Sequence, residues 1–253
     1  MWCSTKNPKT ERRYKMSQLI TLEEIKNIPT PEATDTYCPI AHHDLITSVS
    51  TISQDLLRGY QLVDESYTIA RDGSQLFATL SFLGDNKDMR LAVGFTNSLD
   101  KSLALKFIIG SSITVCSNLM FEGSADSQKV IKKHSKNLLV GLENDIITLL
   151  YRANYCHGKL IEQADVMRGR PFTDAQAGMM TGLLYWNNVL TPRMLPVVQN
   201  EWKNPQHQEF SDKNLFNYYM HVSEALKQSA PMDITRRHVE LHKTIVNGVE
   251  VYQ

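Results

Sequence analysis

The sequence lacks the features that mark secreted and membrane-spanning proteins. It has four cysteines in 253 residues, and no two of them form a CxxC pair. A disulfide framework or a zinc ribbon is therefore not indicated, and free thiols in a reducing compartment are the simpler interpretation. The longest apolar stretch, 103–115, is interrupted by Lys106 and Gly110. It is shorter than the roughly 20 apolar residues that a bilayer span needs.

An excess of positive charge is also missing. The chain has 27 Lys and Arg against 27 Asp and Glu, so its net charge is zero. A protein that coats nucleic acid without selectivity usually has a basic excess. The first fifteen residues are basic and contain no apolar run of signal-peptide type. We therefore expect a cytoplasmic protein, with residues 1–34 as a flexible N-terminal arm.

Catalytic signatures are absent as well. The sequence has no P-loop, no GxGxxG after a strand, no GxSxG and no paired-carboxylate motif. We predict no catalytic residue, no cofactor and no metal site. His238 and His242 have the i, i+4 spacing of metal ligands, but the HExxH order and a third ligand are missing. A solvated helix face is favoured for this pair, and His42 is expected at an exposed helix start.

What is present predicts an α+β fold: an antiparallel meander sheet with an N-terminal helix, followed by a helical C-terminal half. Apolar spacing predicts a helix over 42–57. An Asp-Gly turn within 71–74 predicts a hairpin, and Thr21 with Glu24 and Thr173 with Gln176 form capping boxes. Strands are predicted at 60–70, 75–83, 89–96, 111–117 and 128–134, and helices at 102–109, 137–167, 174–190, 192–203, 211–227 and 233–246.

This pattern predicts an α+β core over 35–136 and a helical region over 137–253 that packs on the core. No linker-like composition separates the two regions near residue 136. One integrated body is therefore favoured over two separate domains.

Two segments carry the candidate binding residues. In the first, 94–102, polar side chains follow a buried strand, where they can cap the next element or bind a ligand. In the second, 128–136, period-two spacing puts Lys132, His134 and Lys136 on one strand face, which is either solvated or anion-binding. The candidate residues for nucleic-acid or partner binding are Asn97, Asp100, Lys101, Lys129, Lys132, Lys133, His134 and Lys136.

These same segments resemble a known family. Residues 94–102 read GFTNSLDKS, 110–123 read GSSITVCSNLMFEG and 132–135 read KKHS. They are similar to the phage/plasmid-like domain-of-unknown-function family (number 932), with Thr96 where an arginine is common. NLFNYY at 214–219 is similar to the helical end of that family. The resemblance, over roughly 35–245, implies a bacteriophage, prophage or plasmid origin and a bacterial host cell, but no activity.

Three functions stay open at this point. The favoured one is a non-enzymatic mobile-element protein that acts in DNA transactions, with single-strand binding or annealing as its activity and homo-oligomers as its form. The alternative is a protein-binding factor that sequesters or inhibits a host defence protein. A metal-dependent enzyme that uses His238 and His242 is the third. The expected partner is thus single-stranded nucleic acid or a host protein, and no membrane.

Overall fold

The computed structural model describes residues 18–124, 126–131 and 138–251, and in this part of the chain it is a mixed α+β structure. The strands are β1 Gln18–Leu19, β2 Gln61–Ala70, β3 Gln75–Leu83, β4 Met89–Ser98, β5 Leu105–Ile113, β6 Leu119–Met120 and β7 Gln128–Ile131. The helices are α1 Leu22–Lys26, α2 His42–Leu56, α3 Leu138–Leu150, α4 Ala153–Arg168, α5 Asp174–Trp186, α6 Leu195–Lys203, α7 Leu215–Leu226 and α8 Pro231–Val251, with 3-10 turns at Pro192–Met194 and Gln208–Phe210. The predicted fold class is confirmed.

The sheet is an antiparallel meander. Its strands lie in the order β1-β2-β3-β4-β5-β6, and β7 pairs with the other half of β5. The predicted hairpin between β2 and β3 is present, with Ala70 opposite Gln75. Arg71, Asp72 and Gly73 all adopt positive φ in its turn, and the last two are the Asp-Gly pair for which a tight turn of this kind requires positive φ.

Both faces of the sheet are covered. One face, formed by alternate residues such as Leu80, Phe95 and Phe107, packs against α2, α3 and α4. The opposite face, which includes Phe77 and Ile108, packs against α8. Because the strands alternate, each face receives every second side chain. The helical C-terminal half therefore contributes to both layers and also forms its own core with the sheet ends.

Several element predictions differ from the structure. The predicted helix over 102–109 and strand over 111–117 are wrong, because a single strand, β5, covers Leu105–Ile113. The predicted helix 137–167 is divided into α3 and α4 by a turn at 151–152. Asn214, not Ser211, is the N-cap of α7, since its side chain accepts a hydrogen bond from the Asn217 N–H.

Part of the predicted N-terminal arm belongs to the sheet layer. Gln18 pairs with Ile69 of β2. Thr21 and Glu24 form the predicted capping box of α1, and Ile25 is 1% exposed. The arm prediction is corrected for these residues, because burial of Ile25 fixes α1 against the fold. Residues 1–17 lie outside the described residues.

Candidate ligand-binding groove

The predicted binding residue Asn97 is enclosed inside the protein. Its side chain is fully buried, and Nδ2 donates to the Ile40 carbonyl at 2.9 Å and lies 2.9 Å from Nδ1 of His42. His42 in turn contacts the Gly73 carbonyl through Nε2 at 2.9 Å. These bonds connect α2 to the hairpin turn, so the expectation of an exposed His42 is wrong. Asn97 has no surface to offer a ligand.

The next two predicted residues lie at the surface of the loop between β4 and β5. Asp100 accepts hydrogen bonds from Arg71, Ser74 and Ser102. Burial alone would raise the pKa of Asp100, but these hydrogen bonds outweigh it and leave the pKa lowered. Lys101 adopts a φ of 63°, and its Nζ lies 4.5 Å from the centre of the Tyr37 ring. Asp100 thus orients Arg71, whereas Lys101 packs on an aromatic ring.

The predicted basic strand is described only in part. Lys129 lies on β7 and pairs with Phe107 of β5. The remaining candidates, Lys132, Lys133, His134 and Lys136, lie outside the described residues. β7, which carries Lys129, and β4, which leads into the loop with Asp100, lie on opposite sides of β5, so these two residues of the predicted segments are not neighbours in the sheet.

A groove that was not predicted lies between the sheet and the helical half. Its volume is about 1130 Å³, slightly above the range of about 300–1000 Å³ typical of small-molecule pockets. The floor consists of the α8-facing side chains of β2 and β3, and hydroxyl groups dominate it. The floor residues are Asp64, Ser66, Thr68, Ala70, Gln75, Phe77, Thr79 and Ser81.

The opposite wall comes from the end of α7, the start of α8 and the 3-10 turn before α6. These three elements contribute Lys227, Met232 and Arg193, respectively, to the lining of the groove. Arg193 donates to the Gln228 carbonyl at 2.7 Å, and Lys227 donates to the Cys116 carbonyl at 2.8 Å. Because both side chains are hydrogen-bonded to main-chain carbonyls, the wall holds them in fixed positions.

The charge balance of the groove is positive. Arg71, Arg193 and Lys227 line it, and Asp64 is the carboxylate among its lining residues. Asp64 accepts a hydrogen bond from Ser117 at 3.3 Å and lies 3.9 Å from Arg90. Arg71 is paired with Asp100 at 3.3 Å and Lys227 with Glu224 at 2.6 Å, which reduces the positive charge that these two side chains present. The three cations and the hydroxyl groups of the strand surface still offer an anion hydrogen-bond donors.

His238 also borders the groove. It lines the groove although only 1% of it is exposed, so the predicted solvated position is wrong. Its Nδ1 has no hydrogen-bond partner among the described residues. Burial lowers the pKa of His238 to about 3, so the ring is neutral at pH 7 and its hydrogen-bonding role is decided by its tautomer.

His242 is also buried, at 2% exposure, which corrects the predicted solvated face for the second histidine of the pair. Its ring packs edge-on to Tyr219 with the centres 6.0 Å apart. Neither ring nitrogen of His242 has a hydrogen-bond partner among the described residues. No group of three or more potential metal ligands occurs in the described part of the chain.

Sequence reasoning missed the groove because its residues come from four separate parts of the chain. They are residue 19, the floor between 64 and 81, residues 117–119, and the wall between 193 and 238. One signal was present: Ser66, Thr68, Thr79 and Ser81 alternate with apolar residues, which indicates a strand face with a polar surface. Which helix covers that face could not be read from the pattern.

Comparisons with protein-family models, with curated proteins and with solved structures found no match. The resemblance of residues 94–135 to a phage/plasmid-like family therefore stays a prediction. In the described residues, no helix is long and apolar enough to cross a bilayer.

Proposed function

We propose that this protein binds single-stranded nucleic acid in the groove without catalysing a reaction, and that it acts in the DNA transactions of a phage or another mobile element. The observation that carries the first part is the cationic rim of Arg71, Arg193 and Lys227 above the hydroxyl-rich floor. The resemblance of the central segments supports the second part.

The chemistry of the rim fits a phosphate backbone. Arginine presents several N–H donors in a planar arrangement that matches phosphate oxygens, and lysine adds a point charge. Arg71 belongs to the β2–β3 turn and Arg193 to the turn before α6, so one is supplied by the sheet and the other by the helical half. A strand bound in the groove would have its phosphates neutralised by both.

The chemistry of the floor fits exposed base edges. Ser66 and Thr68 project from β2 into the groove and are at least partly accessible. Hydroxyl groups both donate and accept hydrogen bonds, so they can serve any base. Phe77 is the aromatic side chain of the floor, but it is only 3% exposed. Binding would therefore depend on phosphate and hydroxyl contacts more than on base stacking.

The test is fluorescence anisotropy of a labelled single-stranded oligonucleotide and of its duplex, titrated with the full chain at several salt concentrations. We expect the single strand to bind more tightly and the affinity to fall steeply with salt, because counterions are released from the strand. The Arg71→Gln, Arg193→Gln double variant should bind at least about tenfold more weakly. Its salt slope should be shallower by about 1.4, since each of the two lost phosphate contacts on a single strand removes roughly 0.7.

The matched control is the Lys26→Gln, Lys203→Gln double variant. It removes the same charge from exposed positions outside the groove, and it should keep the wild-type affinity. An equal loss in both double variants would mean that net charge, not the groove, governs binding. No binding by the wild type at low salt would overturn the proposal and favour capture of a host protein.

A further inference from the structure

Two of the three cations that line the groove contact a carboxylate. Nη1 of Arg71 lies 3.3 Å from Oδ2 of Asp100, and Nζ of Lys227 lies 2.6 Å from Oε2 of Glu224. The third cation, Arg193, donates to a neutral main-chain carbonyl instead. The groove therefore presents less positive charge than its lining residues alone indicate.

The two carboxylates contact these cations from outside the groove. Arg71 and Lys227 line the groove, whereas Asp100 and Glu224 are not among the described residues that line it. A guanidinium has five N–H donors and an ammonium has three, so a carboxylate and a phosphate can share one cation. A phosphate bound in the groove would then lie near a second negative charge.

Asp100 is held in place beside Arg71. Its carboxylate also accepts hydrogen bonds from the Ser74 hydroxyl at 3.2 Å and from the Ser102 N–H at 3.0 Å. Because the pKa of Asp100 is lowered, the carboxylate is ionised at pH 7. It cannot turn away from Arg71 without losing its contacts within the loop.

Glu224 is also part of a fixed arrangement. Its side chain is 21% exposed, against 43% for Lys227 one turn along α7. Nζ of Lys227 donates to the Cys116 carbonyl as well, at 2.8 Å, so the ammonium is held between a carboxylate and a carbonyl. An ion pair in such a geometry keeps its charges together more effectively than a pair of freely rotating surface side chains.

The size of the effect follows from the electrostatics of charges near a protein surface. At a separation of about 6–7 Å, on opposite sides of one cation, repulsion between a carboxylate and a phosphate weakens binding by about three- to tenfold. Salt screens this repulsion, because mobile ions shorten the range of the interaction. A neutral side chain of the same shape would remove it.

We propose that Asp100 and Glu224 are internal counter-ions of the groove: each partly neutralises the cation beside it and so weakens the binding of phosphate. The inference rests on the proposed function in taking nucleic acid as the ligand, whereas the neutralisation itself acts on any phosphate compound. The groove therefore binds a strand more weakly, and releases it more readily, than unpaired cations would. The same pairing balances the cations of the groove within a chain of zero net charge.

The test compares Asp100→Asn and Glu224→Gln with the wild type. The measurement is anisotropy of the labelled single-stranded oligonucleotide at about 50 mM and about 200 mM salt. Each variant keeps the size of the side chain and removes its charge. Each should bind about three- to tenfold more tightly at the lower salt, and the gain should shrink at the higher salt. Unchanged or weaker binding, or a gain that salt does not reduce, would overturn the proposal.

Asp165→Asn is the matched control. Asp165 pairs with Arg168 at 2.7 Å across one turn of α4, and neither residue is among those that line the groove. The variant removes the same charge from the chain and should keep the wild-type affinity. An equal gain in all three variants would contradict the proposal, because net charge and not the two carboxylates would then limit binding.

Calorimetric titration with inorganic tripolyphosphate separates this inference from the proposed function. The Asp100→Asn, Glu224→Gln double variant should bind tripolyphosphate about tenfold or more tightly than the wild type. If it does so while neither protein binds an oligonucleotide, the nucleic-acid function fails and the counter-ion role stands. If the wild type binds the oligonucleotide and the double variant gains affinity for neither ligand, the counter-ion role fails and the function stands. Circular dichroism verifies folding, and Glu224→Gln alone decides should Asp100→Asn not fold.

Discussion

Gly110 marks the closest approach between β5 and the segment that follows β6. A Cβ at this position would lie 2.2 Å from the ring of Phe121 and 2.4 Å from the Met120 carbonyl oxygen. Phe121 is fully buried and packs against His238 of α8. The ring cannot move outward without displacing that helix, and the carbonyl belongs to the backbone. The absent side chain of Gly110 is therefore a packing requirement between two layers.

We predict that Gly110→Ala lowers the free energy of unfolding by about 2–4 kcal/mol, as overpacking of a rigid site does. Urea denaturation monitored by circular dichroism measures the change. Gly141→Ala is the control, because a Cβ there meets no atom within 4 Å and the site is within α3. That change should raise stability by about 0.5–1 kcal/mol. Equal stability of both variants would show that Gly110 is not confined.

The buried histidines show why single residues are hard to place from sequence. His238 and His242 follow Ile234 and precede Ile245 at helical spacing, so both lie on the apolar face of α8. The charged residues beside them, such as Arg236 and Lys243, favoured a solvated interpretation. The helical spacing of these histidines, and not the charge of their sequence neighbours, determines that they are buried. Burial is tolerated because a neutral imidazole can be buried at a moderate cost.

Among helices, strands and turns, the features predicted correctly from the sequence are those that depend on residues close together in the chain. The hairpin turn, the capping boxes and helix α2 follow from residues within one or two turns of each other. Strand β5 was missed because it is buried on both faces. Phe107 and Ile109 belong to one core cluster and Ile108 to another, so the run shows no alternation. A short continuous apolar run does not distinguish a strand from a helix.

Locally specified caps give a prediction of their own. The Thr173 hydroxyl accepts from the Gln176 N–H, and the Gln176 side chain accepts from the Thr173 N–H at 2.8 Å. Thr173→Ala removes half of this capping box, so we expect a loss of about 1 kcal/mol in the free energy of unfolding. Thermal unfolding followed by calorimetry measures it.

Thr191 is the matched threonine. It precedes the 3-10 turn Pro192–Met194 without a side-chain capping bond, and its buried hydroxyl has no partner among the described residues. Thr191→Val should therefore be neutral or slightly stabilising, because it replaces an unsatisfied polar atom by a methyl group. A loss equal to that of Thr173→Ala would contradict the assignment of the cap.

At the scale of the whole molecule, the candidate groove depends on how the helical half covers the sheet. Its floor and its wall lie more than a hundred residues apart in the sequence. Local patterns specify the strand face and the helix ends separately, but the pairing of these surfaces is a property of the tertiary fold. For the same reason, the sequence indicated Asp100 as a polar loop residue but did not predict its ion pair with Arg71.

The stability of the whole fold depends on pH through four buried histidines. Burial lowers the pKa of His157, His221 and His242 to about 4 and that of His238 to about 3. In the unfolded chain, histidines titrate near pH 6.5. Well above pH 6.5 these histidines are neutral in both the folded and the unfolded chain, so their full contribution to the free energy of unfolding is present. As the pH falls from about 6.5 toward 4, the unfolded state gains protons that the folded state does not bind, so stability is lost.

Each of these histidines can contribute a slope of up to about 1.4 kcal/mol per pH unit to the free energy of unfolding. Urea denaturation between pH 7 and pH 5 measures the combined slope. His242→Leu should make it shallower by about a quarter. At pH 7 the same change should cost little, because neither ring nitrogen of His242 has a partner among the described residues. If His242→Leu kept the wild-type slope, the buried imidazoles would not be the groups that govern acid unfolding.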